Sequence, residues 1–176
     1  MHYVSWDRTD RDAPKLLAEQ GPQVLADFTP ERAMLHGLDS TDERVWDLVV
    51  TDIAGAVATE NGREIVRANG NLKRAKNLTV AVAGRPYHLI AETSKNWIID
   101  DAAGNKVGQF TSDHSGVRRA ILEFEDETHL PYDDIVGLAW VSRLILESRK
   151  ALNATALIGL MVFLSIFIVI VWLVGP

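Results

Sequence analysis

The chain has 176 residues, a net charge of −6, no cysteine and 47% hydrophobic residues. An acidic chain gains nothing from a polyanion, which argues against nucleic acid as a partner. Without cysteine, thiol nucleophiles, thiolate metal sites and disulfides are excluded, and a reducing compartment fits weakly.

The opening "MHYVSWDRTDRDAPK" is polar and charged, with no apolar core for a signal peptide, and its first ten residues read as loosely ordered. "DAPKLLAEQG" reads as a short helix, with Asp12 as cap, Pro14 in the first turn and Gly21 as stop. "TPERAMLHGL" fits a helix or a strand equally well. These elements make up an N-terminal segment, residues 1–44, with a short helix and the first strands.

From Val45 the pattern changes to short β-rich runs separated by turn signals. Asn61-Gly62 and Asn69-Gly70 suit the left-handed φ values of tight hairpins. Further turns are expected at Gly84-Arg85-Pro86, over Asp101 to Asn105 and at Ser115-Gly116. Leu122 and Phe124 alternate with Ile121 and Glu123, as in a sheet with one dry side. The expected fold is mainly β with α, an antiparallel barrel or sandwich of about eight strands or more. A parallel α/β fold is disfavoured, because no helical patterns separate the strands.

"LPYDDIVGLAWVSRLILESRK" then predicts a helix over 133–148, capped by Asp133 or Asp134. Its apolar positions point nearly all the way round, so it must be surrounded. A barrel wrapped around it would do this; a helix lying on one open sheet or along a membrane is the alternative. Residues 45–150 thus form an antiparallel β domain closed by an apolar C-terminal helix.

Ala154 to Val174 is 21 residues without a charge. As a helix it would reach about 31 Å, close to the ~30 Å hydrocarbon core of a bilayer. It predicts one transmembrane helix, tail-anchoring the chain. Arg143, Arg149 and Lys150 precede it as interface anchors, and Trp172 suits the far headgroup level. The positive-inside rule then places the N-terminal domain in the cytoplasm and the C-terminus outside, in a single-pass plasma-membrane protein. The buried helix is expected to run on into the span as one rod, with Asn153 as a bend. Thr155 and Gly159 fit the small-xxx-small pattern, and Phe163 and Phe167 form a ridge, so these four are the candidate packing residues for a neighbouring helix.

Many short strands followed by one apolar helix resemble the tubby C-terminal-like superfamily, which includes LURP-one-related and phospholipid-scramblase-like proteins. "NWIIDDAAGNKVGQF" is similar to its aspartate-glycine hairpins, and "LPYDDIVGLAWVSRLIL" looks like its closing helix. The resemblance covers residues 45–148. It implies a closed β-barrel threaded by the final helix, and roles in lipid binding and membrane-associated signalling. The scramblases' palmitoylated cysteine cluster has no counterpart here, which speaks against lipid transport. The tail-anchored plan also looks like small accessory subunits of actinobacterial membrane complexes, including respiratory supercomplexes.

No catalytic, cofactor or metal site is expected. There is no Gly-rich phosphate loop and no GxSxG. The five histidines are scattered, and Asp113-His114 and Glu125 to His129 read as surface loops. Asp100-Asp101 with Asn105 lacks the spacing and closing Glu of a calcium loop and reads as a turn. The expected function is a non-enzymatic, tail-anchored accessory or stabilising subunit whose partners are integral membrane proteins of a larger complex and membrane lipids. The alternative is a lipid-binding or scramblase-like module, with Arg67, Lys73, Arg74 and Lys76 as candidate headgroup contacts.

Overall fold

The computed structural model describes the chain apart from residues 8, 11, 20, 38–42, 52, 94, 112–120, 127–128 and 175–176, and apart from the side chains of 150–156, 159, 171 and 174. Twelve strands run in sequence order: β1 (Tyr3–Asp7), β2 (Lys15–Ala18), β3 (Val24–Phe28), β4 (Arg32–Leu35), β5 (Arg44–Thr51), β6 (Gly55–Glu60), β7 (Arg63–Asn69), β8 (Asn77–Val82), β9 (Arg85–Ala91), β10 (Asn96–Asp100), β11 (Lys106–Thr111) and β12 (Ile121–Phe124). One helix, α1 (Tyr132–Val174), follows.

Every strand pairs antiparallel with its sequence neighbours, and β1 closes the ring against β12 through Tyr3↔Glu123, Val4↔Leu122 and Ser5↔Ile121. The architecture is therefore a closed barrel rather than a sandwich. Closure leaves no unpaired sheet edge. Eight strands would enclose a space that side chains alone can fill, whereas twelve leave a wider lumen. A helix with its side chains measures about 10–12 Å across, and α1 fills that lumen.

The contacts of α1 go all the way round. Tyr132 reaches the Leu25 carbonyl on β3, Asp133 reaches Arg44 on β5, and Asp134 reaches Arg85 and Tyr87 on β9. Arg143 lies over Trp6 on β1 and Arg149 over Trp97 on β10. Gly137 faces Val66 on β7 and Val82 on β8; a Cβ there would sit only 3.0–3.2 Å from the valine methyls. Ile135, Val136, Leu138, Ala139, Val141 and Ile145 are all sealed from solvent. The surrounded helix expected from the all-round apolar pattern is thus inside the barrel, not on an open sheet.

The wall follows the period of two. Trp46 and Leu48 point inward on β5 while Val45, Asp47 and Val49 face out. Leu122 and Phe124 are buried on β12, as their alternation predicts. Asn61 and Gly62 both have positive φ (51° and 77°) and close the tight β6–β7 hairpin. Asp101 closes its turn by accepting the N–H groups of Ala103 and Asn105. The Asn105 N–H is the main reason its carboxyl lies below the usual range.

Two expectations for the N-terminal residues need correction, and one left open is settled. The opening residues are a barrel strand, β1, not loosely ordered. The helix expected over 12–21 is the strand β2, in which Leu16 is sealed in the core, and it is followed by a turn with a cis Gly21–Pro22 bond. The ambiguous "TPERAMLHGL" is the strand β4 with its alternating burial. Asn69-Gly70 does not make a two-residue hairpin; it opens a longer connection whose Leu72 plugs into the core. The Ser115-Gly116 turn lies outside the described residues.

Candidate membrane and partner interface

The two ends of the barrel differ. At one, the latch end, α1 starts and its first turn is fastened by charge. Asp134, 0% exposed, accepts two hydrogen bonds of 2.6 Å from Arg85 and one of 2.5 Å from the Tyr87 hydroxyl. Asp133 shares Arg44 with Glu60, at 2.7 and 2.6 Å. Hydrogen bonds to the two carboxylates hold the Arg44 guanidinium well above its ordinary pKa, and Asp134 does the same for Arg85. Burial raises the hydroxyls of Tyr87 and Tyr132 above the usual tyrosine range. Neither aspartate is the residue before the helix. Both sit in its first turn, where the helix dipole favours a carboxylate, and their side chains reach out to the wall. Short polar side chains in the first turn and long guanidiniums on the strands give the reach this needs.

At the other end, the exit end, two arginines line the mouth. Arg143 lies 4.8 Å from the centre of the Trp6 ring and bonds Glu147 one turn on. Arg149 lies 4.6 Å from the Trp97 ring and donates to the Ala75 carbonyl at 2.5 Å. Desolvation draws the Arg149 pKa down. Each cation covers an indole face at the point where the lumen would otherwise meet solvent.

Beyond the mouth α1 continues unbroken, through residue 153, to Val174. Its described side chains there are large, apolar and uncovered: Leu157, Ile158, Leu160 to Leu164, Ile166 to Ile170, Trp172 and Leu173. Among the described residues, no helix is long and apolar enough to cross a membrane; the side chains of 150–156, 159, 171 and 174 lie outside that description.

The candidate site residues fall into separate places. Phe163 and Phe167 are exposed on the projecting helix, at 64% and 54%, and Trp172 at 82%. The side chains of Thr155, Gly159 and Lys150 are outside the described residues. Arg143 and Arg149 lie on tryptophans at the mouth. Arg67 stands on the outer wall of β7, bonded to Glu64, away from the other three headgroup candidates. Lys73, Arg74 and Lys76 share the β7–β8 connection at the exit end, with Arg74 and Lys76 exposed and Lys73 half-buried. Sequence reasoning missed Arg44 and Arg85 altogether. Their partners are 89 and 49 residues away, and no local pattern signals them. It also missed Ile53, 80% exposed in the β5–β6 turn beside that connection.

Among the described residues no group of three or more His, Asp or Glu could hold a metal ion. Comparison with protein-family models, with characterised proteins and with solved structures gives no match. Of the resemblance read from the sequence, the structure supports a closed antiparallel barrel, and no comparison supports the family.

Proposed function

We propose that this chain is a tail-anchored, non-enzymatic accessory subunit of a larger membrane complex, with residues 154–174 as its transmembrane helix. One observation carries the reading. A single helix fills the barrel with its first half and projects a bare apolar surface with its second. Fifteen described residues between Leu157 and Leu173, all but Ser165 large and apolar, are left uncovered. Soluble chains rarely leave a continuous apolar surface of that size open to water. Ser165, the polar residue within it, donates to the Met161 carbonyl and so satisfies itself along the helix, as a lipid-facing serine would. A charge-free helix offers no group to carry ions or protons, which favours packing over transport. The domain is cytoplasmic in this reading, and a respiratory complex is one candidate host.

The test is isolation at native expression in a mild detergent, with co-purifying proteins identified by mass. Stoichiometric recovery with integral membrane proteins is the expected result. Recovery of the chain alone would count strongly against the reading. A lipid-binding module is the second reading, favoured by the basic β7–β8 connection and by the barrel-and-helix layout shared with the tubby-like proteins. Binding of anionic liposomes by a chain that lacks partners would support it.

A further inference from the structure

The exit end has a sidedness of its own. Ile53 protrudes from the β5–β6 turn, and Val49 and Val50 below it are 62% and 39% exposed. One connection further round the ring, the β7–β8 segment is held rigid. Asn71 Oδ1 accepts the N–H groups of Lys73 and Arg74, Leu72 is fully buried, and Arg149 of the central helix grips the Ala75 carbonyl. That scaffold leaves Arg74 and Lys76 turned to solvent. On the other side of Ile53, the neighbouring β3–β4 connection carries exposed Glu31, and the β1–β2 connection beyond it carries exposed Asp10 and Asp12. Among the described residues of these four connections, the β5–β8 side is thus apolar and basic and the β1–β4 side acidic.

Distance ties the β5–β8 side to the projecting helix. Leu157 follows Arg149 by eight residues, about 12 Å along a helix, so a bilayer around the tail would bring its headgroup layer to the rim. Membrane-spanning helices tilt by about 20° on average. A rod locked inside its barrel must carry the barrel with it. We infer that the barrel leans onto its β5–β8 side, with Ile53 wedged into the headgroup layer and Arg74 and Lys76 against the phosphates of anionic lipids. This inference rests on the anchoring proposed above.

The absence of native cysteine permits single-site labelling of the full chain. The variants I53C, E31C, R63C (at the latch end) and I166C would each carry an environment-sensitive fluorophore. They would be reconstituted in nanodiscs of phosphatidylcholine, with or without phosphatidylglycerol. Spin-labelled lipids would report depth as quenching. The expected result is strong headgroup-level quenching at position 53, less at 31 and none at 63. The effect at 53 should grow with phosphatidylglycerol and lose that growth when Arg74→Glu and Lys76→Glu are added. Position 166 should be quenched by acyl-chain labels throughout. If 166 is quenched but 53 no more than 63, the lean is refuted while the anchor stands. If 166 escapes acyl-chain quenching, the anchor fails and the lean falls with it. Indifference of position 53 to lipid charge would overturn the phosphate contacts. Shielding of 53 in native membranes but not in nanodiscs would assign the rim to a protein and overturn the proposal. Ile53→Ser, labelled at a neighbouring site, should reduce the quenching without changing the unfolding midpoint.

Discussion

The two halves of α1 are alike in composition and opposite in circumstance. Residues 135–146 and 157–173 are both apolar nearly all round, yet the first is enclosed by twelve strands and the second, among the described residues, is covered by none. An all-round apolar helix states only that water must be kept away. It does not say whether protein or lipid does the work. The difference lies at the margins: carboxylates with strand arginines at the start of the first half, cations on tryptophans at its end, and no charge at all beyond.

The sharpest way to break this comparison is to place the same substitution in each half. Val141→Asp would bury an unpaired carboxylate in the lumen at a cost of about 5 kcal/mol, comparable to the whole stability of a modest domain. The barrel should not fold, as circular dichroism and proteolysis would reveal. Ile166→Asp should leave the barrel's urea midpoint unchanged and cost about 3 kcal/mol of membrane insertion instead, read as loss of the carbonate-resistant fraction. Equal damage to the barrel from both would erase the distinction.

The latch comes next in size. Arg85→Ala strands the fully buried Asp134 with Tyr87 as its remaining side-chain partner and should cost about 3 kcal/mol. Arg44→Ala, whose partners are better solvated, should cost about 1 kcal/mol. Urea unfolding of the two variants would order them, and the reverse order would show that burial is not what makes the latch strong. Gly137→Val should cost about 1–3 kcal/mol, because its methyls have no room against Val66 and Val82; thermal unfolding would show it.

The smallest effect is a pH dependence on the alkaline side. Tyr87 and Tyr132 have folded pKa values raised, chiefly by burial, above their unfolded values. The folded state therefore holds their protons longer. Their contribution is complete below the unfolded pKa of about 10 and is lost as the pH rises past it. Stability measured between pH 8 and 11 should fall at the upper end, and less steeply in Tyr87→Phe.

The sequence is legible where local chemistry is decisive. Asn61-Gly62 announces a hairpin because few other pairs tolerate two positive φ values. The run after Asp134 demands enclosure because no stripe of it is polar. "KLLA" is misread because four residues are too few to show a period, and Pro14 and Gly21 serve turns as readily as helix ends. The latch was invisible because its pairs join residues far apart in the chain, and a lone arginine on a β-rich run carries no mark of its partner. Ring closure by β1 is likewise a long-range pairing that no window of sequence reports.

The placement of the latch has a mechanical consequence. The charged pairs lie at the end of the helix farthest from the tail, so any traction on the tail is transmitted along the whole rod. It is resisted at the opposite face, much as a toggle bolt bears on the back of a wall. Such a load shears the carboxylate–guanidinium contacts together instead of peeling them one by one, and the strand ladder around them must stretch before the rod can slip.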